Sequence, residues 1–422
     1  MVRADWRKGC FIMKIVVLAG GISTERDVSL SSGNMIYRAL KKNGHRAILL
    51  DVYLGYEGDT EGIFERDTDW AARMASVGAE APDAARMVSV GAEAPDAART
   101  ASVGAEASDA ARTALVGAEA SDAARTASVG AEAPDAARVV SVGEKAPDLD
   151  AVRALRGEGA QGFFGPKVLE LCAEADCVFL ALHGACGEDG RVQACFELLG
   201  IPCTGADFTG SCLAMDKGIT KDIFRAHQIP TPSGIRLKKD GSREKSIPYP
   251  CIVKASCGGS SIGVRIARND AEYRQALEEA FQYGDEVIVE EYIKGREFSV
   301  GVMDGRALPV IEMAPREGFY DYRNKYQAGT TVETCPAVLP REKTREIQEI
   351  AEKVFQALRL KSYARMDFVM SPQGRVFCLE ANTLPGMTAT SLLPQEAAAA
   401  GMDFGMLCEE ILRMCAEAEK KA

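Results

Sequence analysis

The sequence has no apolar run long enough to cross a lipid bilayer. Its longest runs, residues 15–19 and 177–182, fall far short of the ~18 residues that a membrane-spanning helix needs. Its thirteen cysteines include no Cys-x-x-Cys pair, which argues against a zinc clip or a disulfide scaffold and favours a reducing compartment. With 47% hydrophobic and 26% charged residues, the composition is typical of a multi-domain globular protein. We therefore expect a cytoplasmic location and no membrane partner.

The N-terminus resembles a secretion signal only in part. Basic residues precede an apolar stretch, but Lys14 interrupts that stretch and no Ala-x-Ala cleavage pattern follows. We expect a first β-strand here, with either Met1 or Met13 as the native start.

The formal charge of −11 argues against a nucleic-acid partner, although about half of it comes from one segment. From Met74 the 13-residue unit MASVGAEAPDAAR recurs with small changes in five copies, up to Arg138. The unit offers chiefly Ala to a core, and Gly and Pro interrupt it, so we expect either short Ala-rich helices or disorder. We interpret the repeat, at about residues 74–143, as an insert without a catalytic role.

Alternating strand and helix patterns predict an α/β fold in the N-terminal part. Lys14–Ala19 is a β-branched run that precedes an amphipathic helix, and residues 47–53 and 176–182 have the pattern of further buried strands. Helices between strands imply a doubly wound, mostly parallel sheet. The loops at 20–27 and 183–190 would then share one crevice. Later in the chain the predicted strands follow each other more closely, which indicates an α+β fold.

The predicted chemistry concentrates on a hairpin near the C-terminus. Residues 363–382 have the pattern of two strands joined by a Ser-Pro-Gln-Gly turn. Because strand side chains alternate between faces, Arg365 and Asp367 share one face, as do Glu380 and Asn382. Two carboxylates and an amide beside a guanidinium suit Mg²⁺, which prefers oxygen ligands. The alternative is a solvated polar strand face.

A glycine-rich segment, KASCGGSSIG, begins at Lys254. Its backbone N–H groups can approach phosphate oxygens, although a plain hairpin connection is equally consistent with the segment alone. The segment also matches the Gly-x-Ser-x-Gly nucleophile elbow, with Ser261 as nucleophile. That hydrolase fold needs a downstream histidine, and His45, His183 and His227 all precede Ser261, so this alternative is disfavoured. A P-loop is excluded because no Gly-x-x-x-x-Gly-Lys occurs.

Seven motifs, in order along the chain, resemble those of the D-alanine–D-alanine ligase family in the ATP-grasp superfamily. They are GGISTERDVS at 20–29, LHGACGEDG at 182–190, MDK at 215–217, the glycine-rich segment at 254–263, FYDYRNKY at 319–326, ARMD at 364–367 and LEANTLPGMT at 379–388. The resemblance implies an N-terminal doubly wound α/β domain, followed by an ATP-grasp fold of two α+β subdomains. It places the three units at 1–205, with the repeat inside, 206–290 and 291–422.

The resemblance also implies a reaction. The carboxylate of one D-alanine attacks the γ-phosphate of ATP, and the amine of a second D-alanine displaces phosphate from the acyl phosphate, which yields D-alanyl-D-alanine for peptidoglycan precursors. Because the tyrosine-rich loop with Tyr326 is present, together with Ser391 and Leu392, we expect D-alanine as second substrate. A D-alanine–D-serine ligase is the alternative. A nucleotide-binding paralogue without turnover is disfavoured, because the motif residues are intact. The family further implies a homodimer.

Site residues follow from the resemblance alone. Two Mg²⁺ or Mn²⁺ ions are implied at Asp367, Glu380 and Asn382. The residues implied to bind ATP are Lys217, Lys254, Gly258, Gly259, Ser260, Ser261, Glu290, Tyr292, Ile293, Glu297 and Lys325. The residues implied to bind D-alanine are Glu25, His183, Ser391 and Leu392. The residues implied to be catalytic are Glu25, Ser260, Tyr326, Arg365 and Gly386, of which Arg365 and the Gly386 N–H would face the oxyanion of the tetrahedral intermediate.

Overall fold

The computed structural model describes residues 12–79, 147–157, 161–241, 247–259, 263–316 and 329–421. Most of the repeat, residues 80–146, lies outside the described residues, so its expected structure stays a prediction. The described ranges contain three β-sheets with flanking helices. None of the helices in these ranges is both long and apolar enough to pass through a membrane.

The first sheet consists of three short strands that are almost fully buried. β1 (Lys14–Ala19) lies between β2 (Arg46–Asp51) and β3 (Cys177–Leu180), and both pairings are parallel. This arrangement confirms the expected parallel sheet, and burial on both faces explains why β1 is a continuous apolar run. The helices of this part are α1 (Arg26–Lys42), α2 (Trp70–Ala79), α3 (Leu149–Ala154), α4 (Val168–Glu174) and α5 (Arg191–Leu199), with a 3₁₀ turn at Ile63–Glu65.

The second strand ends two residues earlier than expected. The side chain of Asp51 accepts hydrogen bonds from the backbone N–H of Tyr53 at 2.8 Å and of Leu54 at 3.0 Å, which turns the chain away from the sheet. Asp51 also pairs with Arg26 of α1. Gly20 has φ +75°, and a Cβ at this position would lie 2.3 Å from Asp51 Oδ2. Only glycine therefore lets the loop after β1 pass this buried ion pair.

The second sheet is antiparallel. The helices and strands of this part of the chain are α6 (Phe208–Met215), α7 (Lys217–Ala226), β4 (Gly234–Lys238), β5 (Cys251–Ala255), β6 (Arg265–Ala267), α8 (Asp270–Ala280) and β7 (Glu286–Glu291). The strand order is β4-β7-β5-β6. Val253, Val287 and Val289 of the sheet pack with Tyr273 and Leu277 of α8 in one apolar cluster. Helix α8 thus covers one face of this sheet. The other face is turned towards the third sheet, and a cleft opens on that side.

The third sheet is also antiparallel and has six strands. Its elements are β8 (Arg296–Met303), β9 (Arg306–Ala307), β10 (Ile311–Pro315), β11 (Thr331–Thr334), α9 (Arg341–Ala357), β12 (Tyr363–Met370), β13 (Val376–Asn382), α10 (Leu392–Ala399) and α11 (Phe404–Lys421). The order is β11-β10-β8-β12-β13, with β9 beside β8. Ile347 and Val354 of α9 pack against Phe298 and Phe368 of the sheet. The expected C-terminal hairpin is therefore confirmed as β12 and β13.

The last helix returns to the first sheet. Leu407 and Ile411 of α11 are fully buried in the same apolar cluster as β1. Glu409 bonds to the side chains of Asn43 and His45, which follow α1. The chain end thus completes the N-terminal core. The division at 1–205, 206–290 and 291–422 stays a prediction.

Candidate active site

A cleft opens between the second and third sheets and encloses about 1110 Å³ of empty space, its open mouth included. Apolar side chains from both sheets, Ile252, Ile266 and Leu379 among them, line part of it. The structure brings ten of the residues singled out in the sequence to this cleft: Lys217, Lys254, Gly258, Gly259, Glu290, Tyr292, Ile293, Glu297, Asp367 and Glu380. An elongated apolar slot with a charged end can accept a planar base and a phosphate chain.

The charged end of the cleft is set by the register of β12 and β13. Arg365 lies opposite Asn382, and Asp367 lies opposite Glu380. The Asp367 carboxylate receives Nε and Nη2 of Arg365, both at 2.9 Å, and Nδ2 of Asn382 at 3.1 Å. Ser299 of β8 donates to Asp367 Oδ1 at 3.0 Å. The four side chains predicted on the hairpin therefore meet at one place.

This donor set fits a magnesium ion that shares its coordination with a substrate. Across the described part of the chain, no three or more His, Cys, Asp or Glu side chains form a group able to hold a metal by themselves. Asp367, Glu380 and Asn382 offer two carboxylates and one amide. Mg²⁺ typically takes one or two protein carboxylates and completes its octahedron with water and phosphate oxygens. A small set of oxygen donors at the end of a nucleotide-sized cleft meets that requirement.

A buried ion cluster supports the same wall of the cleft. Glu290 of β7 is 3% exposed, and its two carboxylate oxygens lie 2.5 Å from Lys254 Nζ and 2.8 Å from Lys221 Nζ. Burial raises the pKa of Glu290, but the two lysines outweigh it, so the pKa lies below its ordinary value. Burial lowers the pKa of Lys221. Glu290 therefore holds Lys254 in place, and its expected contact with nucleotide stays a prediction.

Sequence reasoning missed Lys221. It lies one helical turn after Lys217 in α7, so an i, i+4 pair of lysines on one face of a helix was a usable signal. Lys217 itself donates to the carbonyl oxygen of Gly258 at 2.7 Å and lies 3.4 Å from Glu380 Oε2. Its ammonium group thus links the glycine-rich segment to the predicted metal ligands.

The loops that follow β1 and β3 meet at Glu25. Glu25 precedes α1 and is 5% exposed. A Cβ at Gly184 would lie 2.9 Å from Glu25 Oε2, and a Cβ at Gly259 would lie 2.2 Å from it. Both glycines therefore permit close approach to this carboxylate. The loop after β3 and the glycine-rich segment meet at Glu25, as the shared crevice requires.

His183 connects this crevice to the loop after β13. Its Nδ1 donates to the carbonyl oxygen of Leu384 at 2.9 Å, and its Nε2 lies 3.2 Å from Ser32 Oγ. Ser32 Oγ in turn accepts the backbone N–H of Met387 at 3.1 Å. Burial lowers the pKa of His183, although Glu25 acts in the opposite direction, so the ring is neutral at pH 7. Both ring nitrogens are thus occupied by protein groups.

Glu188 fastens the same loop from the other side. Its carboxylate accepts the backbone N–H of Gly184 at 2.8 Å and of Leu384 at 3.2 Å. Burial and the nearby charge of Glu25 raise the pKa of Glu188 to about 8. Sequence reasoning did not single out Ser32 or Glu188. Glu188 lies within the LHGACGEDG motif, which was the available signal, whereas Ser32 had none.

The remaining substrate residues lie in or beside this loop. A Cβ at Gly386 would lie 2.7 Å from Ser391 Oγ, so the two residues are in direct contact. Ser391 Oγ accepts the backbone N–H of Thr388 at 2.9 Å and bonds to its hydroxyl at 2.8 Å. Leu392 is buried in a small apolar cluster with Ile311 and Met313, so its side chain contributes packing.

Four of the expected site residues lie outside the described residues: Ser260, Ser261, Lys325 and Tyr326. Their expected roles in ATP binding and catalysis stay predictions.

Comparison with known proteins places the site in a family. Residues 14–206 match the family model described as D-ala D-ala ligase N-terminus, and residues 225–413 match D-ala D-ala ligase C-terminus. The D-alanine–D-alanine ligase of Pediococcus pentosaceus is 38% identical over 403 residues, which cover 95% of this chain and 97% of the relative. That of Syntrophotalea carbinolica is 45% identical over 238 residues, which cover 56% and 78%.

Solved structures agree with these sequence relatives. The D-alanine–D-alanine ligase of Bacillus anthracis complexed with ATP has a TM-score of 0.62 at 25% identity and covers 97% of this chain and 99% of its own. A D-Ala:D-Ser ligase from Enterococcus faecalis has a TM-score of 0.62 at 24% identity, with 96% and 100% covered, and shares the fold. Taken with the cleft and its converging side chains, these matches show that the chain belongs to the D-alanine–D-alanine ligase family.

Proposed function

We propose that this chain joins two D-alanine molecules to D-alanyl-D-alanine with conversion of ATP to ADP and phosphate, for peptidoglycan precursors. The observation that carries the proposal is the meeting of Arg365, Asp367 and Asn382 at the end of a nucleotide-sized cleft. A site that transfers a phosphoryl group uses positively charged side chains together with oxygen ligands for Mg²⁺. Family membership supplies the substrate.

ATP would lie in the cleft between the two antiparallel sheets. Ile252, Ile266 and Leu379 offer apolar contacts for adenine beside the backbone of Tyr292 and Ile293. Glu297, also at the cleft, would accept bonds from the ribose hydroxyls. The phosphates would then extend towards the lysines, Lys217 and Lys254, whose ammonium groups act as point charges on phosphate oxygens.

Asp367, Glu380 and Asn382 would hold Mg²⁺ at the phosphate end. Bound Mg²⁺ neutralises charge that develops on the transferred phosphoryl group. Arg365 is held bidentately by Asp367, so its guanidinium keeps a fixed direction before substrate arrives. The positive charge of Arg365 acts on both Glu188 and His183 and lowers the pKa of each.

The first D-alanine would bind where the crevice and the cleft meet. Glu25 would pair with its ammonium group, and its carboxylate would attack the γ-phosphate of ATP. The amine of the second D-alanine would then attack the acyl phosphate, and phosphate would leave. Arg365 and the backbone N–H of Gly386 would stabilise the oxyanion of that tetrahedral intermediate, an effect typically worth ~10²–10³ in rate per donor.

The loop that carries Gly386 is positioned by three groups of the N-terminal part. Ser32, His183 and Glu188 hold its backbone at both ends. We infer that His183 acts on the substrate mainly through this loop, since its ring nitrogens already have protein partners. Orientation of this kind lowers the barrier without direct contact to the reacting atoms.

The second substrate distinguishes the main proposal from its alternative. The tyrosine-rich motif at 319–326 favours D-alanine, and D-serine is the alternative because a neighbour with the same fold is a D-Ala:D-Ser ligase. A homodimer and a cytoplasmic location stay predictions. They are supported by the family and by the need for ATP.

ADP release tests the proposal. Purified protein with ATP and Mg²⁺ should release ADP only when D-alanine is added, and D-alanine should outpace D-serine and D-lactate as acceptor. Asp367→Asn should lower the rate by at least about 100-fold, since even outer-shell changes at metal sites cost 10–100-fold. Asp304→Asn, at an exposed turn after β8, is the matched control and should be unchanged. ADP release that does not depend on any D-amino acid would overturn the assignment.

A further inference from the structure

Two cysteines from distant parts of the chain are in direct contact inside the protein. Cys177 begins β3 and is 1% exposed, and Cys415 lies in α11 and is 5% exposed. The Cys177 thiol donates to Cys415 Sγ, with the sulfurs 3.1 Å apart. A disulfide bond measures ~2.05 Å, so closing it needs a movement of only about 1 Å. The two thiols are 238 positions apart in sequence.

The elements that carry the two thiols hold them in place. Val178 and Phe179 of β3 are fully buried, as are Leu407 and Ile411 of α11, and all belong to one apolar cluster. Because both elements are fixed by core packing, the sulfurs stay close without the help of a flexible loop. Their contact is therefore a property of the folded chain.

One of the two sulfurs lies at a cavity. Cys415 lines a cavity between α5, α9 and α11 that encloses about 1850 Å³ of empty space, its open mouth included, together with Met414, Pro202 and Cys203. A small oxidant that enters this cavity reaches Cys415 first, while Cys177 lies behind it at the strand. Cys415 is therefore placed to react with the oxidant first, and Cys177 to react second.

We propose that Cys177 and Cys415 form an oxidation site, at which a hydroperoxide converts the thiol pair to a disulfide between β3 and α11. The Cys415 thiolate attacks the peroxide O–O bond, which breaks to give a sulfenic acid at Cys415 and an alcohol or water. The Cys177 thiol then attacks the sulfenic sulfur. The S–S bond forms, and the sulfenic oxygen leaves as water with the thiol proton. The two electrons pass from the thiols to the peroxide oxygens, so one peroxide oxidises one pair.

This site is separate from the ligase chemistry and does not depend on the proposed function. Thiols in a reducing compartment stay reduced, so the bond forms only on exposure to peroxide, and a dithiol reductant reverses it. The bond would tie the N-terminal sheet to the last helix and close a loop of more than half the chain. Such a link raises resistance to unfolding by restricting the unfolded state.

Mass spectrometry of the full chain tests the proposal. The full chain is treated with hydrogen peroxide and then alkylated without reductant. Once the mass of the added alkyl groups is subtracted, the intact mass should lie about 2 Da below that of the reduced chain, because disulfide formation removes two hydrogen atoms. Two of the thirteen cysteines should escape alkylation. Trypsin should release residues 168–191 joined to residues 414–420, and dithiothreitol should separate them. The thermal midpoint of the oxidised chain should rise by several degrees.

Variants locate the bond. Cys415→Ser and Cys177→Ser should each abolish the joined peptides, whereas Cys408→Ser, on the same helix and equally buried, should retain them. A joined peptide that contains Cys203 in place of Cys177 would overturn the proposed pairing, as would an unchanged mass after peroxide. Because the joined peptide is measured in the unaltered chain, a variant that fails to fold does not remove the test.

Discussion

Replacement of Glu290 by glutamine should strongly destabilise the folded chain. Glu290 lies between Lys221 and Lys254, whose side chains are only 4% and 8% exposed. Glutamine keeps the shape of the side chain but cannot compensate two buried ammonium groups. Removing one partner of a buried ion pair typically costs about 3–5 kcal/mol of unfolding free energy.

Release of a proton from Lys221 sets an independent upper limit on this loss of unfolding free energy. The folded variant can relieve the repulsion by deprotonating Lys221, whose pKa burial already lowers from its ordinary value of 10.5. At ~1.36 kcal/mol per unit, holding that lysine neutral at pH 7.5 costs about 4 kcal/mol, and at pH 9.0 about 2 kcal/mol. The expected loss at pH 7.5 is therefore about 3–4 kcal/mol. Since the folded variant binds fewer protons than its unfolded chain, its stability rises with pH in this range.

Urea unfolding at pH 7.5 and pH 9.0 measures this effect. Glu290→Gln should show the larger loss at pH 7.5 and a loss smaller by roughly 2 kcal/mol at pH 9.0. Glu291→Gln is the matched control, because Glu291 is the next residue of β7 and accepts one hydrogen bond, from the backbone N–H of Ser233 at 2.9 Å. It should lose about 1 kcal/mol at either pH. A Glu290→Gln loss below about 1 kcal/mol, or one independent of pH, would refute the reasoning.

Three further predictions follow from the site and the core. Ser32→Ala should lower kcat at least about tenfold in steady-state assays, with little change in KM for ATP, because the loop with Gly386 loses the buried hydrogen bond between Met387 N–H and Ser32 Oγ. Ser31→Ala is the control and should match the unaltered enzyme. The pKa of Glu188 is about 8 in the folded chain, against an ordinary 4.5, so the folded chain binds more protons than the unfolded chain between these values. The free energy of unfolding should therefore fall from pH 5 to pH 8. Urea midpoints should show this fall, and Glu188→Gln should flatten it. Deletion of residues 80–146 should leave ADP release and thermal midpoint unchanged, whereas deletion from residue 74 should lower the midpoint, because Met74 is buried in the core.

Much of the site was predictable from local pattern. The alternation of side chains on β12 puts Arg365 and Asp367 on one face. Asn382 lies opposite Arg365 only because the register of the hairpin shifts by one residue between Asp367 and Phe368, and the sequence pattern did not indicate that shift. The parallel first sheet was also expected correctly, because fully buried strands are continuous apolar runs. The motifs predicted the family, which the comparisons confirm.

Other parts of the site were not predictable from pattern. Ser32 bonds to Met387, 355 positions away, and its helix gives no sign of which polar side chain will face that loop. Glu290 was expected at the nucleotide cleft and lines it, but the contact of its oxygens with two lysines of separate elements was not predicted. Such pairings depend on how whole sheets pack against each other.

The sequence by itself determined the strands of the first sheet, the C-terminal hairpin and the family, because period, turn residues and motif spacing are properties of neighbouring positions. Tertiary structure alone decided that α11 completes the first core, that Cys177 meets Cys415, and that Ser32 and Glu188 hold the loop of Gly386. The physical reason is that these contacts join residues whose distance along the chain is large, so they exist only once apolar burial has brought three sheets and the last helix together.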